Sequence, residues 1–188
     1  MPTRRTVLGA LFGAPLLGAT GGCLGRVPGI EDATLSYKAI SVRWLDADGR
    51  GYSAELCWLW SDGRSRVFGW EPAAYPEIVR SPTAVRISEE TERLLEDRFD
   101  GVAYVVGFSD PDAAERSPLE NDRGQVGVPR RTFNRLQFGD RATIHRRGSG
   151  LRILTIQDGP GELPDDWQID VRATDLREQF PDRNVPEQ

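Results

Sequence analysis

Residues 52–70 read YSAELCWLWSDGRSRVFGW, and this stretch decides the fold. Apolar and aromatic side chains recur at every second position, which is the period of a β-strand with one buried face. The Asp-Gly pair at 62–63 suits the positive φ angles of a tight turn, so residues 65–70 are predicted to return as the next strand. We therefore expect a β-hairpin whose first strand presents one face, formed by Tyr52, Ala54, Leu56, Trp58 and Trp60.

Strand patterns also flank this hairpin. Residues 34–45 mix β-branched, aromatic and polar side chains, and residues 102–108 form a nearly continuous apolar run that is typical of a central strand. Residues 109–129 are predicted to be a long polar loop. Beyond it, a second meander is predicted, with strands at 132–138, 141–147 and 151–157, and an edge strand is predicted at 166–173.

One short helix is predicted between Ser88 and Phe99. Ser88 is a good N-cap, three glutamates follow it near the positive end of the helix, and Leu94, Leu95 and Phe99 fall on one face. The fold is therefore expected to be mainly β: a small antiparallel barrel or sandwich of two meanders with one short helix. We expect a single domain over residues 34–173, followed by a flexible tail over residues 174–188.

The first 22 residues have the pattern of an export signal. Arg4 and Arg5 precede an apolar stretch at 7–19, which is shorter than the ~20 residues that a membrane-spanning helix needs. The arginine pair resembles the twin-arginine (Tat) export signal, and Thr20-Gly21-Gly22-Cys23 is similar to a lipobox.

This resemblance implies that residues 1–22 are removed as a signal peptide and that Cys23 receives a diacylglyceryl group. Residues 23–33 would then be the lipidated cysteine and a spacer. The domain would be exported and anchored to the outer face of the cytoplasmic membrane. An uncleaved amphiphilic anchor is the alternative, and it also leaves the domain tethered outside.

The composition is acidic and poor in lysine. The chain has 24 Lys+Arg against 29 Asp+Glu, its formal net charge is −5, and Lys38 is its only lysine. This composition resembles that of haloarchaeal proteins, in which a negative surface keeps the protein hydrated in strong brine. A GC-rich bacterium, which also favours arginine over lysine, is the alternative source.

The side chains available after the signal exclude several familiar metal centres. From Cys23 onward the chain holds one histidine, His145, two cysteines, Cys23 and Cys57, and no methionine. Blue-copper, Rieske, c-type haem and structural zinc sites each need more histidine or cysteine ligands than this. The turn at 46–51 lacks the later ligands of an EF-hand, which leaves the acidic loop at 110–122 as a looser calcium candidate. We expect no metal and no cofactor.

A catalytic role would depend on His145 acting with Cys57 or with a serine. Cys57 lies in the middle of a predicted strand on the face opposite Trp58, a position that favours inert packing in the core. No Gly-x-Ser-x-Gly motif is present. No catalytic residue is therefore assigned, and a small extracellular hydrolase is kept as the alternative function.

The least ordinary feature is a cluster of arginines between residues 130 and 152, where the only acid is Asp140. Within it, Arg141, His145 and Arg147 alternate along one predicted strand and so point to one side. Guanidinium groups suit sulfate, phosphate and carboxylate groups, so these three residues are a candidate anion-binding site. Pairing with acids elsewhere in the domain is the alternative. The cluster consists of Arg130, Arg131, Arg135, Arg141, Arg146, Arg147 and Arg152.

The tryptophans allow two further interpretations. Trp58 and Trp60, with Trp44 or Trp70 beside them, would suit sugar rings if they were exposed, whereas a tryptophan-lined core is the commoner arrangement.

The sequence therefore predicts a cell-surface lipoprotein that binds a ligand or partner, or is part of the envelope, without being an enzyme. Its expected partners are the membrane, through Cys23, and an anionic glycan or other surface ligand. We expect no nucleic-acid partner.

The lipid anchor is tested by Cys23→Ser. Each methylene of a buried acyl chain contributes about 0.8 kcal/mol to membrane binding, so two chains hold a protein stably. We expect the variant to appear in the medium or as an unprocessed precursor in a fractionation followed by immunoblotting. A variant that is processed and held at the membrane like the parent would contradict the anchor.

Overall fold

The computed structural model describes residues 29–62, 66–81, 83–109, 122–148, 150–157 and 166–172. These residues form eight strands and two short helices, which confirms the expectation of a mainly β fold. The signal segment, the loop at 110–121 and the tail from 174 onward lie outside the described residues. The elements are β1 (Ile30–Leu45), β2 (Gly51–Ser61), β3 (Arg66–Pro72), α1 (Glu89–Glu96), β4 (Gly101–Ser109), β5 (Asp122–Val128), α2 (Arg130–Arg135), β6 (Arg141–Arg147), β7 (Gly150–Gln157) and β8 (Asp166–Arg172).

The long strand β1 is the centre of the sheet, because three other strands pair with it. Thr34 is paired with Ser109 of β4 and also with Arg141 of β6, so β4 and β6 lie on opposite edges of β1. Strand β6 pairs with the beginning of β1, and β2 pairs with the remainder from Tyr37 onward. The sheet therefore branches at β1.

From this branch point the sheet extends in three directions. One branch adds β5 to β4, another adds β7 to β6, and the third adds β3 and then β8 to β2. All described pairings are antiparallel except that of β3 with β8, which makes the sheet mixed. The sheet does not close on itself.

A β-bulge in β2 changes the predicted face of the first hairpin. The pairing with β1 shifts between Ile40 and Ser41, so Leu56 and Cys57 are both buried although they are consecutive. A bulge reverses which alternate side chains face the core. The expected single face is therefore wrong: Trp58 and Trp60 lie on the side of the sheet opposite Cys57 and Leu59.

Two sequence predictions in the second half of the chain are also wrong. Strand β5 lies within the predicted loop at 109–129, because its glycines hide the alternation of the partly buried Val126 and Val128. Residues 130–135 form helix α2 instead of a strand. The preceding Pro129 has φ fixed near −62°, which suits a helix start, and Phe133 is then fully buried against Tyr104.

Helix α1 confirms the predicted cap. The Ser88 hydroxyl oxygen accepts a hydrogen bond from the backbone N–H of Thr91 at 3.0 Å. Leu95 and Phe99 are buried as expected, whereas Leu94 is exposed, contrary to the prediction. The helix has about two turns, and two apolar side chains instead of three, Leu95 within it and Phe99 after its end, are buried against the domain.

The only lysine of the chain is fully buried in the core. The Lys38 ammonium group donates hydrogen bonds to the carbonyl oxygens of Val85, Phe133 and Leu136, at 2.8, 2.7 and 2.6 Å. Its Nζ also lies 4.1 Å from the centre of the Phe133 ring. These contacts use all three donors and join β1 to α2 and to the segment before α1.

Burial lowers the pKa of Lys38 well below its usual range, because desolvation penalises the charged amine. The three carbonyl oxygens oppose this effect, since they favour the ammonium form over a neutral amine with only two donors. The Lys38 side chain therefore stabilises the packing of β1 against α2 and the segment before α1.

Lys38→Met tests this connection. Methionine fills a similar volume but removes the donor that Lys38 supplies to three buried carbonyl oxygens, although that of Val85 keeps a hydrogen bond from Gln137 Nε2 at 3.3 Å. We therefore expect the free energy of unfolding to fall by about 2–5 kcal/mol. Urea denaturation followed by tryptophan fluorescence measures the change. Ile40→Val, at another fully buried position of β1, is the control and should cost only about 0.5–1.5 kcal/mol. A loss for Lys38→Met no larger than that of the control would show that the hydrogen bonds are dispensable.

Candidate functional site

The predicted anion-binding residues lie on the outer face of β6. Ala142 and Ile144 are buried in the core, so the alternating residues Arg141, His145 and Arg147 point the other way. Arg141 and Arg147 are exposed and His145 is half-buried. The structure therefore places these three side chains on one side of the strand, at spacings of two residues.

Strand β7 adds a fourth cation that the single-strand pattern did not include. Arg152 is the direct cross-strand partner of His145, and partners in an antiparallel pair project to the same face. We call Arg141, His145, Arg147 and Arg152 the cationic hairpin face. The sequence contained Arg152 in its arginine cluster, but only the register of β6 with β7 places it opposite His145.

An acidic side chain of β1 also lies on this outer surface. Asp32 of β1 is paired with Thr143 and accepts a hydrogen bond from the Thr143 hydroxyl at 3.2 Å. Among the residues that the structure describes, no ion pair involves Arg141, Arg147 or Arg152. In this respect they differ from Arg130, whose guanidinium group forms ion pairs within the fold.

Arg130 is an example of a neutralised arginine. Its guanidinium lies 2.9 Å from a carboxylate oxygen of Glu89 and 2.7 Å from one of Glu92, both in α1. The hydroxyl of Tyr104 also donates to Glu92, at 2.9 Å. This network connects α1, α2 and β4, so Arg130 belongs to the packing of the domain and not to the candidate site.

Arg146 points to the other side of β6. A Cβ atom added at Gly124 of β5 would lie 3.5 Å from its Nη2 atom and 3.6 Å from Leu151. The terminal nitrogen is buried and has no hydrogen-bond partner among the described residues. Gly124 therefore lets β5 approach the beginning of β7 closely, with the Arg146 side chain between them.

A cleft opens between β5 and β7 beyond this close approach. It has a volume of about 610 Å³, and α2 contributes Thr132 and Arg135 to its lining. Several of the side chains that line it, including Val128 and Ile153, also pack against the core. Arg152 is among the residues that line the cleft, and it also belongs to the cationic hairpin face.

The structure does not bring Cys57 and His145 together. Cys57 is paired with Ile40 and His145 with Ile30, so ten positions of β1 separate them. That separation is about 30 Å along a strand. In addition, burial raises the pKa of the Cys57 thiol to about 12, with Glu71 adding to the effect. A Cys57–His145 nucleophile pair is therefore excluded by geometry.

The tryptophans differ in burial. Trp44 is fully buried and stacks on Tyr52 with ring centres 5.7 Å apart. Trp58 and Trp60 are half-buried on the outer side of the sheet, and Phe68 lies between them at 6.3 and 4.7 Å.

The turn at 46–51 is explained by its own hydrogen bonds. One oxygen of Asp46 accepts the backbone N–H groups of Asp48 and Arg50, and the other accepts the Tyr52 hydroxyl. The bond from Arg50 contributes most to lowering the pKa of Asp46. In the described parts of the chain, no three histidine, cysteine or acidic side chains cluster as a metal site requires.

Neither a membrane-spanning helix nor a known relative assigns a function to the described residues. No helix in the described ranges is long and apolar enough to cross a membrane. Comparison of the sequence with protein-family models, with curated proteins and with solved structures finds no match.

The burial of Cys57 leads to a test of thiol reactivity. In full-length protein with Cys23→Ser, a thiol reagent such as DTNB should react with Cys57 only after the protein unfolds, since at pH 8 the buried thiol is almost entirely protonated. The rate of absorbance change with and without urea measures this. Rapid reaction in the absence of urea would show that the thiol is reachable in the native state.

Proposed function

We propose that this chain is an exported, lipid-anchored domain that binds an anionic surface ligand and performs no catalysis. The anchor is Cys23, the export signal includes Arg4 and Arg5, and the binding surface is the cationic hairpin face. The domain then works at the outer side of the cytoplasmic membrane, where sulfated or carboxylated glycans are suitable ligands.

The observation that carries this proposal is the contrast between exposed and neutralised arginines. In a chain with an excess of acids, an exposed guanidinium would ordinarily find a carboxylate, as Arg130 does. Arg141, Arg147 and Arg152 have no such partner among the described residues, although Asp32 of β1 lies on the same outer surface. Positive charge that has no ion-pair partner among the described residues favours an anionic ligand.

The adjoining cleft supports a ligand of limited size. Its volume of about 610 Å³ lies within the range of small-molecule sites, and Arg135 and Arg152 are among the residues that line it. A sugar carrying sulfate or carboxylate groups would place its ring against the apolar wall and its anionic groups against guanidinium. Planar guanidinium groups can bind such groups with two parallel hydrogen bonds.

Short-range contacts of this kind are also suited to strong brine. At about 1 M salt the Debye length is about 3 Å, so attraction over longer distances is screened. Direct bidentate contacts persist because they act within hydrogen-bond distance. The proposed binding would therefore weaken with salt but not disappear.

The test is binding to dextran sulfate, measured by isothermal titration calorimetry at low and high KCl. The double variant Arg141→Ser/Arg147→Ser should bind about tenfold more weakly, because two guanidinium contacts of a few tenths to 1 kcal/mol each are lost. The matched control is Arg80→Ser/Arg93→Ser, which removes the same charge from two exposed positions elsewhere.

The control separates a local site from net charge. If both double variants lose affinity equally, the attraction is a general effect of charge and the cationic hairpin face is not the site. If the wild-type protein does not bind dextran sulfate at low salt, the proposed ligand class is wrong.

A further inference from the structure

Strand β8 is the end of one branch of the sheet. It pairs with β3 in parallel along its whole length, from Asp166 opposite Arg66 to Arg172 opposite Pro72. No other described strand pairs with β8. Its second edge is unpaired with respect to the described strands, and the backbone N–H and C=O groups of such an edge can template a further strand.

This edge strand also carries exposed apolar side chains. Trp167 is 36% exposed and Val171 is 63% exposed, and Ile169 between them packs partly against the core. Trp167 is paired with Val67, which is buried, so Trp167, Ile169 and Val171 continue the core-facing side of the sheet. The apolar face therefore reaches the edge of the sheet without being covered by the strand itself.

The sequence of β8 is complementary to itself when it is reversed. Its seven residues read DWQIDVR, with Ile169 at the centre. Reversal exchanges Trp167 with Val171, which are both apolar, and Gln168 with Asp170, which are both polar. It also exchanges the first residue, Asp166, with the last, Arg172, and in the sequence these two carry opposite charges.

We propose that β8 pairs antiparallel with β8 of a second copy of this chain, about a two-fold axis at Ile169. On the core-facing side, Trp167 then lies opposite the partner's Val171, and Ile169 lies opposite the partner's Ile169. On the other side, Gln168 lies opposite the partner's Asp170, and residue 166 lies opposite the partner's Arg172. A two-fold interface requires this kind of self-complementarity.

Every cross-strand pair in this register is favourable or neutral. Aromatic and β-branched residues that lie opposite each other stabilise antiparallel pairs, and so do opposite charges. A shift of the register by one residue would place polar residues against the apolar row. The proposed register is therefore the one that the side chains select.

The expected association is weak and reversible. A contact between two edge strands of this length is smaller than the roughly 1,600 Å² of a standard interface. We expect a dissociation constant on the order of 10–100 μM in solution. The proposal uses no residue of the cationic hairpin face, so it stands or falls independently of ligand binding.

Sedimentation equilibrium of the full-length Cys23→Ser protein measures the association. The parent should show a reversible monomer–dimer equilibrium, and Val171→Asp should weaken it at least tenfold by placing a carboxylate against the partner's Trp167. The matched control is Leu45→Asp, which makes the same change at another exposed apolar residue, 57% exposed, at the end of β1. Thermal melting by circular dichroism checks that both variants fold.

A disulfide experiment tests the register. Directly opposed residues have Cα atoms about 4.5–5.5 Å apart, which a disulfide can bridge. A mixture of Trp167→Cys and Val171→Cys proteins, both with Cys23→Ser, should therefore crosslink into a heterodimer on mild oxidation. Each variant alone should crosslink at least tenfold more slowly, because identical positions then lie several residues apart.

Three results would overturn the proposal. The first is a protein that stays monomeric up to about 1 mM, well above the expected dissociation constant. The second is a dimer that Val171→Asp leaves unchanged or that Leu45→Asp weakens equally. The third is crosslinking that favours identical positions over the mixed pair, which would exclude this register.

Discussion

The buried ammonium group of Lys38 is the constraint on which the packing of this domain depends. It lies on the central strand β1 and bonds to carbonyl oxygens in α2, in Leu136 directly after it, and in Val85 before α1. Strand β1, the end of α2 with Leu136, and the segment that contains Val85 must all be in place before the three donors of Lys38 are satisfied. A buried amine without partners is costly, so the same group that stabilises the correct arrangement penalises others. The position of α2 in turn fixes one wall of the cleft.

The second determining feature is the division of β1 between partners. Strands β6 and β2 share one edge of β1, so two of the three branches of the sheet start from that edge. The branch of β6 and β7 carries the cationic hairpin face and one side of the cleft. The branch of β2 and β3 ends at β8. The two proposed interactions, with an anionic ligand and with a second copy, therefore use opposite ends of the sheet. A dimer formed through β8 would leave both ligand surfaces accessible.

The described residues include arginines that are held within the packing of the domain and arginines that are exposed at its surface. Arg130 is neutralised by two glutamates of α1, and the buried end of Arg146 lies between β5 and β7. Arg141, Arg147 and Arg152 instead project from the outer face of a hairpin. Catalysis with Cys57 has no comparable geometric support, since the thiol is buried and lies far along β1 from His145. Binding of an anionic ligand is therefore the function that we propose.

The sequence by itself determined the elements whose signals are local. Alternation and turn residues predicted most strands, Ser88 predicted the start of α1, and alternation alone placed Arg141, His145 and Arg147 on one side of β6. Tertiary structure decided what depends on distant partners. The bulge at Leu56 and Cys57 arises from pairing with β1, α2 forms where Phe133 and Lys38 meet, and Arg152 reaches His145 only through the register of β7. These features follow from contacts between residues far apart in the chain, and a local pattern carries no information about which distant residue will be the partner.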